Sequence, residues 1–348
     1  MQPASPAPQS LPPEAVVAQM AMAGWISSAI SEIARRDIPD KLKARGPSSA
    51  AELAPELEVH AGALERLLRA CASVGLFTED AGGKFGLTPL SEVLTSGSPV
   101  SVKAVSREMG GWWLKMMTHL GDSVRTGEPQ AMQYCGMDSW WDFLNANPKE
   151  LAAFGEAMQS NSLNSLRGVL AHCDFTGVRK LIDIGGGFGH LAAALLGKYP
   201  ALQAAVLDLP DLMPIAEKSL VISEQVAERL DYVGGDMFKS IPAGDCYIMK
   251  HIIHDWDDAH CHTLLTNCHR SLEANGRLIC VDSVIPAMGD TSGTAAKFLD
   301  LLMMAGIRGK ERTRTQWEEL YGSTGFRITR VTPLQDNFGT SIIEGVRV

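Results

Sequence analysis

Apolar positions follow one rhythm in the first half of the chain and another in the second. From Glu14 to Ile38, Ala, Met and Val residues with Trp25, Ile26 and Ile30 recur at helical spacing and predict a long apolar helical stretch. Ser49-Ala-Ala-Glu52 has the form of a capping box and opens a short helix. Leu64, Leu67, Leu68 and Cys71 give Ala61–Val74 an apolar face. Gly75–Phe77, Ala81–Gly83 and Lys84–Leu87 then predict a small hairpin. Helices followed by a wing are the layout of a winged helix. Residues 98–174 read as mostly helical, with loops expected in Asp122–Asn147 and a possible substrate entrance there. The large residues Trp112, Trp113, Met116, Met117, Trp140, Trp141, Phe143, Phe154 and Met158 suit either a core or the wall of an apolar pocket.

Beyond residue 174 short apolar runs alternate with helical segments. Strands are predicted at Leu181–Ile184, Ala204–Asp208, Tyr232–Val233, Cys246–Lys250 and Gly276–Asp282, an apolar helix at Phe298–Met304, and a terminal hairpin from Phe326–Val331 and Ser341–Val346. This order predicts an α/β domain, mainly parallel with an antiparallel edge. The expected domains are 14–97, helical and winged; 98–174, a helical connector and pocket region; and 175–348, the α/β domain. Met1–Pro13, rich in Pro, Ser and Ala, reads as a mobile end.

Composition narrows the function. The 348 residues are 45% hydrophobic and 20% charged, with a formal net charge of −9. That balance argues against a general nucleic-acid binder, and the helix Ala61–Val74 offers a phosphate backbone only Arg66 and Arg69. Seven cysteines without paired C-x-x-C spacing suggest reduced thiols and a cytoplasmic setting. Cys261-His262 and Cys268-His269 read as packing rather than metal ligands, and no metal is expected. Neither a membrane span nor a signal peptide is expected.

The candidate chemistry begins at Leu181-Ile-Asp-Ile-Gly-Gly-Gly-Phe-Gly189, a buried strand entering a glycine turn ahead of an Ala/Leu helix. Bare backbone there lets a ligand approach, and a helix start offers free N–H groups. Asp208 ends the next strand, where a carboxylate can hold a ribose diol. The turn lacks G-x-G-x-x-G spacing, which favours S-adenosylmethionine over a dinucleotide. Asp236 can orient polar cofactor atoms and Met237 can cover adenine. His254 leaves the strand Cys246–Lys250 and is the leading general base, with His251 its competitor. Asp282, ending the following strand, can orient an imidazole, and Glu311 can add a second carboxylate. By pattern alone, the charged run Lys310–Arg314 reads more readily as a solvated helix start.

Together, Leu181–Gly189, Leu207-Asp-Leu-Pro210, Gly235-Asp-Met-Phe238, His254-Asp-Trp256, Asn275-Gly276 and Gly309-Lys-Glu-Arg-Thr313 resemble the plant-type small-molecule O-methyltransferases, including caffeate, acetylserotonin and bacterial antibiotic-tailoring enzymes. The resemblance runs from about residue 15 to the end. It implies a Rossmann-like class I methyltransferase domain preceded by a winged-helix dimerisation domain, in a homodimer of the kind whose amino-terminal domain sometimes contributes to the partner's pocket. It also implies that Gly185, Gly187, Asp208, Leu209, Asp236, Met237 and Lys250 bind S-adenosylmethionine. His254 is implied as the base, flanked by Glu311 and by Asp282, where relatives usually carry glutamate. Trp112, Met158, Asn161, His251, Asp255 and Leu302 fall at substrate-pocket positions. Asn161 stands near a usual histidine, His251 at a usual aromatic residue, and Leu302 and Gly306 where larger or polar residues are common. The expected reaction is methyl transfer to a hydroxyl of an aromatic or polyketide-like small molecule, with no nucleic-acid or membrane partner. The alternatives are N- or C-methylation, a non-methylating reaction on the same fold, and a winged-helix metabolite-sensing regulator.

Overall fold

The computed structural model describes residues 11–334 and 338–348, and the chain divides into two compact units, Met1–Leu114 and Lys115–Val348. The expected mobile end lies outside the described residues as far as Ser10, and Pro13 already belongs to the first helix.

In the first unit the apolar stretch forms two helices, Pro13–Ala21 and Ala23–Arg35, separated at Met22. The second buries Ser31, Ile33 and Ala34 and leaves Trp25 74% exposed. The helix Lys103–Met109 packs on its Ser31 side, where the Ser31 hydroxyl donates to the carbonyl of Arg107; a Cβ on the following Gly110 would lie 2.2 Å from the carbonyl oxygen of Ser27, so the approach requires glycine. Ser49 and Glu52 form the reciprocal capping box that opens Ala50–Leu57. Leu64, Leu68 and Cys71 of Ala61–Ser73 join Ile33, Leu42, Leu53 and Phe85 in one core. Strands β1 (Ser48–Ser49), β2 (Phe77–Glu79) and β3 (Lys84–Leu87) form an antiparallel sheet in the order β1-β3-β2. The Asp80 carboxylate closes the β2–β3 turn by accepting from the amides of Gly82 and Lys84.

Within Pro13–Arg35 an 18-residue window has a mean hydropathy of 1.2 with 11% of it buried, the length and composition of a membrane span and equally of a helix that packs against protein.

The second unit is built on a sheet of β4 (Lys180–Ile184), β5 (Gln203–Asp208), β6 (Leu230–Gly234), β7 (Gly244–Lys250), β8 (Leu272–Ile285), β10 (Phe326–Pro333) and β11 (Thr340–Arg347), with a short β9 (Arg312–Thr313) paired to the end of β8. The order is β10-β11-β8-β7-β4-β5-β6; β4 to β8 run parallel, and β10 and β11 antiparallel. Leu181, Ile182 and Ile184 of β4 have no exposure, as expected for a strand covered on both faces. One core gathers Leu181, Leu195, Val206 and Ile248; the other gathers Ile182, Ile184, Tyr247, Leu264 and Trp317. From β4 the chain builds outward through β5 to β6, then returns to lay β7 on the other side of β4. A crevice therefore opens at the carboxyl ends of β4 and β7, the switch point where ligands bind in such sheets. Within Asp122–Asn147 the expected loop runs between the helices Leu120–Thr126 and Trp140–Ala146, with a 3₁₀ turn at Gln133–Cys135 inside it. The paired cysteine-histidine positions lie on the helix Asp258–Ser271, where Cys261 and Cys268 are buried in the core as packing residues.

Candidate active site

The turn after β4 is a bare cradle. Gly185, Gly187 and Gly189 have φ of +67°, +58° and +80°, the left-handed region that disfavours a side chain. A Cβ on Gly186 would sit 2.6 Å from Cγ of Asp183. Asp183 is 1% exposed, its Oδ2 has no hydrogen-bond partner among the described residues, and burial pushes its carboxyl up to about 7. Asp208 ends β5, and its two oxygens accept from the amides of Gly187 (2.9 Å) and Leu209 (2.7 Å), tying the strand end to the glycine turn. Burial raises its carboxyl, and those two amide bonds oppose the rise. Beyond β6, Asp236 accepts from the amide of Phe238 at 2.9 Å and pairs with Lys239 at 3.0 Å. Asn267 donates to the carbonyls of Met237 and Phe238, fixing that loop. Lys250 ends β7 in register with Val281, and its charge opposes the burial-driven rise of Asp183.

The second cluster forms where β7 ends. His251 has φ +54°, a strained conformation for a non-glycine residue, and turns the chain out of the strand. A single 3₁₀ turn, Ile253–Asp255, follows, and Asp257 caps the helix Asp258–Ser271 through the amide of His260. This short, capped link holds His254 at the strand end, 7% exposed. Asp282 projects from the adjacent β8 with no exposure. Glu311 arrives through β9, whose pairing with Val284 and Ile285 lays the Gly309–Thr313 segment along the end of β8.

Glu311 Oε1 lies 2.7 Å from His254 Nδ1. A carboxylate oxygen accepts, so Nδ1 carries the hydrogen. Asp282 Oδ1 is 3.7 Å from the same nitrogen, and neither of its oxygens makes a hydrogen bond among the described residues. The shorter acid therefore supports the ring by charge alone. On the ring's other side, His254 Nε2 faces Asp255 Oδ1 at 3.5 Å. Burial disfavours the imidazolium, but Glu311 and Asp282 outweigh it and push His254 up to about 10. Burial raises Asp282 to about 7 and Asp255 to about 6. His251 titrates well below its usual range because burial, Lys250 and His254 all oppose its charge. It sits 3.7 Å from Asp282 through Nδ1 and 3.4 Å from Asn161 through Nε2. Ligand atoms of His251, His254 and Asp282 lie within 4.8 Å of one another, a spacing that could also hold an ion.

Asn161 is 5% exposed on the helix Pro148–His172, and its Oδ1 has no partner among the described residues. Met158, on the same helix, and Leu302, on Thr294–Gly306, are half-buried. Trp112 belongs to the first unit. A cavity of about 140 Å³ lies beside the Ile253–Asp255 turn, lined by Trp140, Trp141, Asp255, Trp256 and Gly306 among others.

Two residues escaped the sequence reading. Asp183 is a lone acid inside an apolar strand run, a signal that was present but unused. Arg312 lies in the charged run that also suited a solvated helix start, yet it is 1% exposed and its neighbour Glu311 only 3%.

An O-methyltransferase domain matches residues 117–327, and an O-methyltransferase dimerisation domain matches residues 19–97. The chain is 33% identical over 336 residues to the phenazine O-methyltransferase PhzM of Lysobacter antibioticus, covering 96% of each chain. It is 34% identical over 330 residues to the O-demethylpuromycin-O-methyltransferase of Streptomyces alboniger, covering 93% of this chain and 87% of that one. Among solved structures, human N-acetylserotonin methyltransferase in complex with SAM superposes with a TM-score of 0.89 at 26% identity, covering 98% of this chain and 99% of that one. With its glycine cradle, strand-end acids and buried histidine cluster, the chain belongs to the O-methyltransferase family and carries that family's dimerisation domain at its amino-terminal end.

Proposed function

We propose that the protein transfers a methyl group from S-adenosylmethionine to a hydroxyl of an aromatic or polyketide-like small molecule, with His254 as general base. The carrying observation is the 2.7 Å contact from Glu311 to Nδ1, which fixes the tautomer and leaves Nε2 to take the acceptor's proton. The residues of the cradle suit the cofactor. Gly185 and Gly187 clear space for its backbone contacts, Asp208 and Leu209 take the ribose, Asp236 and Met237 the adenine, and Lys250 completes the contact set. The unpartnered Oδ2 of Asp183 faces the same turn and adds an acceptor for a cationic ligand. The cofactor supplies an electrophilic methyl group on a positively charged sulfur.

In the free protein His254 is held charged by its three carboxylates. A further positive charge in the same buried site disfavours the imidazolium, so its Nε2 proton leaves before the ring acts as base. Asp255, raised to about 6 and 3.5 Å from Nε2, stands where that proton departs. Asp282 and Glu311 then stabilise the imidazolium that re-forms as the acceptor hydroxyl loses its proton. Holding both reactants in one cleft supplies much of the rate enhancement. Met158, Asn161, His251, Asp255 and Leu302 are proposed to shape the acceptor pocket. The relatives named above, whose names specify a phenazine, a puromycin precursor and N-acetylserotonin, support an aromatic acceptor.

We read the partner of the exposed Trp25 face as a second copy of the chain rather than a bilayer, because the dimerisation match begins at residue 19. No nucleic-acid partner is proposed, since Arg69 on the helix Ala61–Ser73 is already paired with Glu65 and Glu79. The seven cysteines are all free thiols, which suits a reducing cytoplasm. The test is product formation by His254→Ala at saturating cofactor with folding intact, read by product mass on phenols, quinones, indoles and polyketides. Loss of turnover is expected; near-normal turnover across the working pH range rules the base assignment out.

A further inference from the structure

Arg312 is among the largest fully buried side chains of the protein, and a buried guanidinium requires acceptors for five N–H groups. They are found on the turn around His254, on the start of the helix that follows it and on the carbonyl of Lys310. Nη1 donates to the carbonyls of Ile253 (3.1 Å) and Lys310 (3.3 Å). Nη2 donates to the carbonyl of Trp256 (3.1 Å), to Asp258 Oδ1 (2.8 Å) and to Cys261 Sγ (3.3 Å). Nε donates to Asp258 Oδ1 at 3.2 Å. The carbonyls of Ile253 and Trp256 bracket His254 in the chain, and Asp258 and Cys261 begin the helix that the turn feeds. The backbone of Arg312 is itself strand β9, paired with Val284 two residues beyond Asp282. Next to it, a Cβ on Gly309 would lie 1.8 Å from the carbonyl oxygen of His254, so this loop lies directly on the turn and only glycine fits.

We infer that Arg312 is a positioning residue for the methyl transfer: it clamps the turn carrying His254 to the strand end carrying Asp282 and Glu311, and so sets the imidazole against its carboxylates. This rests on the reading of His254 as the base. The turn is a single 3₁₀ turn, and besides Arg312 the carbonyls at 253 and 256 accept only from the Cys261 thiol, a weak donor, at 3.3 and 3.5 Å, and at 253 from the amide of Trp256, among the described residues. Because Glu311 and Arg312 are consecutive, a shift of the guanidinium moves the carboxylate that holds Nδ1. The cation also favours the ionised form of Asp258, and with His254 it opposes the burial that raises Asp282. Lysine cannot substitute, since a single ammonium does not span two carbonyls and a carboxylate in one plane.

The experiment uses the full chain with Arg312→Lys, Arg312→Ala and Asp258→Asn. Three readouts are taken: NMR titration of ε1-labelled histidines, S-adenosylhomocysteine affinity, and turnover on whichever acceptor the wild type methylates. For Arg312→Lys the His254 midpoint is expected to move down, with kcat reduced roughly 10- to 100-fold, the usual cost of losing a supporting partner, and with cofactor affinity unchanged. Added guanidinium is expected to restore part of the turnover and of the titration shift in Arg312→Ala. Asp258→Asn, which keeps the carbonyl contacts, is expected to give a smaller shift in the same direction. A His254 midpoint and kcat equal to wild type in Arg312→Lys overturn the proposal. Failure of the base reading is a separate result, retained turnover in His254→Ala, and leaves the titration test of the clamp standing.

Discussion

Glu311→Gln isolates the charge behind the imidazole. Glutamine keeps the shape and an oxygen able to accept from Nδ1, but removes a negative charge 2.7 Å away. With an effective dielectric constant of about 20, a unit-charge pair at that distance interacts by about 6 kcal/mol. Divided by about 1.4 kcal/mol per pKa unit, this sets a ceiling of roughly four units on the fall of the imidazolium's pKa. The realised fall is smaller, because Asp282 at 3.7 Å and Asp255 at 3.5 Å remain and take up part of the stabilisation. A drop of roughly two units from its starting point is expected. The starting point is about 10. The assay is the chemical shift of the His254 Cε1–H group in labelled protein across pH 5 to 11, assigned by its disappearance in His254→Gln. No acceptor is needed, so the result does not depend on knowing the substrate. A midpoint within half a unit of wild type refutes the claim that Glu311 holds the charge of His254. In turnover, the same variant is expected to lose on the order of 100-fold in kcat, because the imidazolium formed during proton transfer loses its nearest countercharge.

Two further outcomes follow from the geometry. His254 titrates near 10 in the folded protein, above its ordinary value of 6.5, so its contribution to stability is complete below 6.5 and is lost as pH rises through 10. Thermal melts of wild type against His254→Gln are expected to show an alkaline loss on the order of 3 kcal/mol in the wild type only; parallel curves between pH 7 and 10 rule this out. Trp25, 74% exposed on the apolar face of its helix, is expected to lie in the dimer contact, so Trp25→Arg should shift the protein toward monomer in light scattering without altering its circular dichroism; an unchanged mass overturns that placement.

Much of the architecture was legible because apolar runs and their periods report burial directly. The capping box at Ser49, the strands ending in Asp208 and Lys250 and the terminal hairpin all stand where their patterns put them. Between Asp122 and Asn147 the loop was legible from Gly127, Pro129 and Gly136, but the bounds of the flanking helices were not, because each is too short to show a period. The charged segment Lys310–Arg314 defeated the pattern for a different reason. Burial of a charge is decided by its partners, and those of Glu311 and Arg312 lie more than fifty residues earlier, in the turn around His254.

By itself the sequence determined the order of strands and helices, the glycine turn and the residue types able to bind a nucleoside and to accept a proton, since these depend on local backbone preference and side-chain chemistry. Tertiary structure decided which acids reach which nitrogen. Parallel pairing of β7, β8 and β9 brings His254, Asp282 and Glu311 together from three distant parts of the chain, and the few ångströms that separate a hydrogen bond from Glu311 from a bare charge at Asp282 exist only once those strands are in register.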